Sequence, residues 1–135
     1  MICGVKNDQV RFIWHEIEHL IQNALDAGNA LTRASTIFTA LECKEMQLYT
    51  VMEDRDIVAV FVTEICDEDD ERVCNTVALA GEGLEKWLDN VEHTICRFAK
   101  SKDCKYVRMK GRRGWLKKLD KYGWIESAIE MNKEL

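Results

Sequence analysis

The strongest constraint on the fold is the run at residues 57–65, IVAVFVTEI. It is β-branched and almost wholly apolar. A strand of that kind has no solvent face, so it must be covered on both sides. It therefore reads as the central strand of a sheet with helices above and below. Its neighbours in sequence supply flanking strands. Residues 47–53 alternate, with Leu48, Thr50 and Met52 opposite Tyr49 and Val51, and Asp54-Arg55-Asp56 makes a polar turn. Residues 67–71 are five acids in a row and read as a solvated hairpin loop. Residues 72–80 return as the third strand of this meander.

Helices bracket the meander. In residues 8–27, Val10, Ile13, Trp14, Ile17, Leu20, Ile21 and Ala24 recur at spacings of three and four, one apolar stripe. Asn7 or Asp8 is suited to cap its start, and Gly28 follows its end. A shorter helix is expected over 34–46, capped by Ser35, with Ile37, Phe38, Leu41 and Met46 inward. Gly81-Glu82-Gly83 breaks the third strand and opens a helix whose inner face is Leu84, Trp87, Leu88, Val91, Ile95 and Phe98. Lys102-Asp103 ends it. A short strand follows, with Tyr106, Val107 and Met109, and then a basic turn, Gly111-Arg112-Arg113-Gly114. The next helix carries Trp115, Leu116 and Leu119 on one face and stops at Tyr122-Gly123, where glycine suits a left-handed closing residue. Residues 124–131, WIESAIEM, read as a last strand. The order is helix, helix, three strands, helix, strand, helix, strand. That is an α/β (α+β) domain, a mixed central sheet flanked by helices, with one crossover.

The chain of 135 residues is the size of one domain, 1–135. It has no run of about 18 apolar residues that would span a membrane. MICGVKND turns polar too early for a signal peptide. The six cysteines, at 3, 43, 66, 74, 96 and 104, form no C-x-x-C pair. They argue against a zinc ribbon and for a reducing, cytoplasmic compartment. Cys43 and Cys96 lie among apolar and helical residues, as buried free thiols do.

The net charge of −5 conceals an asymmetry. Residues 97–121 hold eleven Lys and Arg against two Asp, a local +9, whereas residues 1–96 total −12. The basic segment coincides with the strand, turn and helix around Gly111. Such a segment attracts phosphate, of a nucleotide cofactor or of nucleic acid. A solvated helix face offsetting the acidic remainder is the plainer explanation.

The order of elements resembles that of the GNAT acyltransferases over nearly the whole chain. In that family the fourth strand splays from its neighbour and pairs with the pantetheine arm of acyl-CoA. The following helix receives the pyrophosphate on its free N–H groups. The resemblance lays this role on Leu79, Ala80, Gly81 and Gly83 by backbone contact, with Arg112 and Arg113 as phosphate ligands and acetyl-CoA as the cofactor. The chain departs from the family pattern Gln/Arg-x-x-Gly-x-Gly/Ala. Ala78 stands where Gln or Arg is usual, the loop is short, and Glu82 brings negative charge to the turn. Leu119 stands where the family often has a proton-donating Tyr, and Tyr122 is in another register. No catalytic side chain is assigned. The words EMQLY, VFVTEI, RVC, AGEGLEKWLD and GRRGW resemble those of small GNAT-like proteins of tailed phages, similar to internal virion proteins of podoviruses. That narrower resemblance implies a structural or interaction component, with a phage or host protein as partner and the host cytoplasm or the virion as its location. Acetyl transfer is the alternative.

His15-Glu16-Ile17-Glu18-His19 matches H-E-x-x-H. Two histidines four apart share a helix face and suit zinc. The motif lies too near the start for a substrate-aligning sheet to precede it, no third ligand is signalled, and both histidines fall beside the buried stripe. The expectation is two surface histidines and no metal. The four tryptophans sit mostly on apolar faces and are expected in the core. The acidic run 67–71 lacks the spacing and glycine of an EF-hand.

Overall fold

A computed structural model describes every residue except Gly111 and Arg112; for Leu84 and Arg113 it describes the backbone alone. Its strands are β1 (Ile2–Val5), β2 (Gln47–Glu53), β3 (Asp56–Glu68), β4 (Glu71–Gly81) and β5 (Tyr106–Met109). Its helices are α1 (Val10–Ala27), α2 (Ala34–Glu42), α3 (Leu84–Ser101) and α4 (Arg113–Leu119). The strands lie in the order β1-β2-β3-β4-β5, antiparallel except for the parallel pair β4 and β5. β3 is central, as its composition requires. The crossover expected of α3 is the connection between the two parallel strands.

The sheet separates two cores. On one face Val10, Ile17, Ile21 and Leu25 of α1, with Ile37 and Leu41 of α2, bury Leu48, Val60, Val62, Ala78 and Ala80. On the other, Trp87, Val91, Ile95 and Ala99 of α3 cover Val51, Ala59, Phe61, Cys74 and Leu79. Tyr49 stacks on Phe61 at 4.6 Å between centroids, and Phe98 meets Tyr49 edge-on. The alternation of β3 between these cores explains its lack of a polar face. Among the described residues, no helix is long and apolar enough to cross a membrane.

Several local expectations are corrected. Residues 2–5 form an edge strand paired with β2, held also by the Met52 N–H on the Met1 carbonyl. A four-residue strand is too short to show periodicity. Asn7, Asp8 and Gln9 make a 3-10 turn before α1, and Asn7 does not cap it. Its side-chain amide instead donates to the Leu41 and Met46 carbonyls. α2 stops at Glu42, four residues early, and Met46 still packs on the first core. Ser35 lies inside α2, and the Ala34 N–H is taken by the Gln22 side chain. The acidic run is mostly strand: Asp67 pairs with Arg72 and Glu68 with Glu71, leaving Asp69-Asp70 as the turn. Cys43 is exposed and Cys96 partly buried; the fully buried thiol is Cys74. Residues 124–131 form no strand. Gly123 does close the preceding turn, at φ +91°.

Candidate functional site

The site arises because the two ends of β4 are treated differently. Its first half ladders with β5, from Val73 opposite Tyr106 to Thr76 opposite Met109. There the pairing stops. Residues 78–81 remain bonded to β3, up to Gly81 opposite Ala59. Among the described residues no strand lies on their other side. The ladder to β3 also slips at this point: Thr63 faces Thr76 and Val62 faces Ala78, so Val77 is one residue too many. A bulge of this kind bends the strand and frees its backbone groups from the ladder.

A cleft of about 650 Å³ opens where the strands part. Leu79, Ala80 and Gly81 form one wall, and Glu82, Gly83, Glu85 and Trp87 continue it into the start of α3. Gly114, Trp115 and Lys118 of α4 face them. Leu20, Asn23, Ala24 and Ala27 of α1 close the cleft from the side.

The two glycines of the turn have distinct reasons to be glycine. At Gly81 (φ +146°) a Cβ would overlap the Ala59 side chain and lie 2.5 Å from both the Ala59 Cα and the Val58 carbonyl. That residue lets the end of β4 lie tightly on β3, where the Glu82 N–H donates to the Val58 carbonyl. At Gly83 (φ +69°) a Cβ would meet nothing nearer than Lys86 Cδ at 3.8 Å and Trp87 Nε1 at 3.9 Å. Both are ordinary van der Waals contacts, so the position has room for a Cβ, and it lines the cleft. No side chain caps the start of α3 there. The Trp87 indole N–H donates to the Glu82 carbonyl at 2.5 Å and fixes the turn from below.

The electrostatics of the cleft mouth are mixed. Glu82 and Glu85 bring two carboxylates. Lys86 lies beside Gly83, and across the cleft Lys118 stands over the Trp115 ring, 5.7 Å from its centroid. The start of α3 favours an anion through its unpaired amides and dipole.

Of the six residues expected to bind cofactor, Leu79, Ala80, Gly81 and Gly83 line this cleft. Arg112 lies outside the described residues. Arg113 begins α4, and its side chain is outside them too. The sequence reasoning passed over Lys118, although it lies four residues after Gly114 and so shares its helix face. It also passed over the Val77 bulge, which leaves no mark on the strand's apolar pattern. Leu119 is buried, 4% exposed, and offers no proton. Tyr122 does not line the cleft; its hydroxyl donates to the Asp89 carboxylate on α3.

His15 and His19 are both exposed on α1. Among the described residues, no group of three or more His, Cys, Asp or Glu is gathered to hold a metal. Four of the eleven cations of the basic segment are paired among the described residues. Lys105 pairs with Glu71, Arg108 with Glu68, Lys110 with Glu130 and Lys121 with Asp89. The local excess seen in sequence is thus partly cancelled in space.

The helix-covered sheet with a fourth strand parting from a parallel fifth is the fold of the GNAT-type acetyltransferases. The chain is similar to a probable acetyltransferase over 100% of its own length and 96% of that chain, with a TM-score of 0.73 at 12% identity. It is similar also to a predicted acetyltransferase from Clostridium acetobutylicum solved with acetyl-CoA (TM-score 0.74, 10% identity, 98% and 95% covered). A third likeness is to an aminoglycoside acetyltransferase from an uncultured soil metagenomic sample (TM-score 0.71, 11% identity, 100% and 95% covered). At these identities the likeness is one of fold. No family model matches the sequence, and no curated protein matches it.

Proposed function

We propose that the chain is an acyl-CoA-dependent N-acetyltransferase whose cofactor lies in the cleft between β4 and α4. The observation that carries this is the open edge of β4 leading straight into the cleft that Gly83 lines. An extended pantetheine arm needs the first, and a pyrophosphate needs the second. In this reading the backbone of Leu79 and Ala80 pairs with the arm. The first turn of α3, with Lys86 and Lys118, receives the phosphates. Backbone groups released at the Val77 bulge polarise the thioester carbonyl, which is where charge develops as the amine attacks. Acceleration comes from positioning and that polarisation. With a leucine at 119, the amine's proton leaves to water and the departing thiolate takes one from water. The acetyl-CoA complex of the Clostridium acetobutylicum neighbour supports the cofactor class.

The test is acetyl transfer from acetyl-CoA to a panel of primary amines, including aminoglycosides, polyamines and peptide N-termini. Released CoA is best followed by chromatography, because the chain's own free cysteines would react with a thiol dye. Acetylated product with any acceptor, lost on bulky replacement of Gly83, supports the reading. Absence of product across the panel, together with absence of CoA binding, removes it.

A second reading keeps the fold and drops the chemistry. The chain would then be a structural or interaction component, as the tailed-phage resemblance implies, with a vestigial cleft. Glu82 and Glu85 at the phosphate end and the buried Leu119 favour it. A folded protein that ignores CoA but is recovered in purified particles would establish this alternative.

A further inference from the structure

The chain leaves two halves of one strand pairing unmade. β5 is last in the sheet, and among the described residues nothing pairs with its outer edge. Residues 124–131 have the alternation of a strand yet form none. In an extended chain Ile125, Ile129, Met131 and Leu135 fall on one face, and Glu126, Glu130 and Glu134 on the other. The apolar face is uncovered: Ile125 is 83% exposed, Ile129 60% and Met131 86%. Four of the eight exposed large apolar side chains among the described residues, Ile125, Ile129, Met131 and Leu135, lie on this tail, and Tyr106 on β5 is a fifth.

β5 is complementary to such a strand on both its faces. Val107 and Met109 point into the core under α3, where an added strand's apolar face would continue the packing. On the opposite face Arg108 is already paired with Glu68, beside Tyr106, and Lys110 follows it as the cation that would meet the acidic face. Lys110 already stands 3.9 Å from Glu130 of its own chain. The chain does not complete the pairing itself. Trp124 is held on α3, its indole N–H donating to the Glu92 carboxylate, and Glu130 is reached only at the far end of β5. The strand-forming residues are spent in crossing between those two points.

From this juxtaposition we infer that a second copy of the chain supplies the missing strand: residues 124–131 of each protomer add to the β5 edge of the other. An exchange of this kind is self-complementary and closes as a two-fold dimer. It also removes an unprotected sheet edge. The inference does not depend on whether the cleft binds acyl-CoA.

The full chain should be followed by light scattering from about 5 to about 500 micromolar. The expected result is a dimer whose dissociation constant rises about tenfold or more in Ile125→Glu and in Ile129→Glu. Tyr106→Pro should weaken it as well. The Lys105 N–H donates inward to the Arg72 carbonyl, so the next amide along the strand faces outward and is the one lost. In the wild-type chain, amide exchange at 124–131 should slow as concentration rises. A monomer throughout, protection of 124–131 that does not depend on concentration, or a dimer indifferent to all three substitutions would each overturn the inference.

Discussion

The two halves of β4 share one strand and have opposite designs. Val73 and Cys74 are buried between β3 and β5, and every rung from Val73 to Thr76 is bonded on both sides. Residues 78–81 are bonded on one side and lead into a cleft. The change occurs over a single residue, the bulged Val77. The first half stabilises the sheet; the second spends that stability in holding an unsatisfied edge in place. Gly81 and Gly83 repeat the contrast. One is glycine because the backbone of β3 is too close; the other has room for a Cβ and is favoured as glycine by its left-handed backbone, φ +69°.

The largest effect should come from closing the first of those glycines. Gly81→Ala forces a Cβ into backbone as well as side chain, and the end of β4 must lift from β3. A loss of about 3 kcal/mol or more in denaturant unfolding is expected. A variant within 1 kcal/mol of wild type would break the contrast, because the approach to Ala59 would then be soft.

The buried half should also respond to alkali. Burial pushes the Cys74 thiol from 9.0 up to about 12. It pushes the Tyr49 phenol from 10.0 up to about 12 in the same core. The unfolded chain therefore releases these protons first. Stability is complete below about pH 9 and falls as pH rises towards 12. Unfolding midpoints measured across that window should drop, and Cys74→Ala should flatten the drop relative to its own neutral-pH value. In the native state a thiol reagent should label exposed Cys43 readily and Cys74 only on unfolding.

Gly83→Ala should cost less, about 1 kcal/mol, from the left-handed backbone alone. Its fold should otherwise be intact, since there is room for the added carbon. A loss as large as at Gly81 would mean that the turn is packed and the cleft closed.

The smallest effect has the opposite sign. Thr76, at the last rung before the strands part, is 2% exposed, and its hydroxyl has no hydrogen-bond partner among the described residues. Thr76→Val removes a desolvated group and keeps the shape, so stability should hold or rise by up to about 1 kcal/mol. A clear loss would show that the hydroxyl is bonded in solution.

Much of this architecture was legible in sequence because the signals were long. The apolar run of β3, the stripe of α1 and the face of α3 each repeat over many residues, and each lies where periodicity puts it. Short or non-local features were not legible. β1 is four residues. The Val77 bulge is a matter of pairing, which a strand's own sequence does not record. The tail, WIESAIEM, shows the reverse failure: its alternation is that of a strand, but Trp124 is held on α3 by Glu92 and Glu130 lies by Lys110, and between those two points the segment makes no ladder with β5. The cleft was half visible. Gly81-x-Gly83 between strand and helix pointed to it, whereas Lys118 and the α1 wall come from distant segments and meet the glycines only in the fold.

The most direct test of the central claim is calorimetric titration of the full chain with acetyl-CoA and with CoA, beside Gly83→Phe. If the open half of β4 and the start of α3 form the acyl-CoA site, wild type should bind in the micromolar range, between about −7 and −9 kcal/mol. The variant should bind at least about tenfold more weakly while remaining folded. No heat at millimolar ligand from folded wild type, or equal binding by the variant, would contradict it.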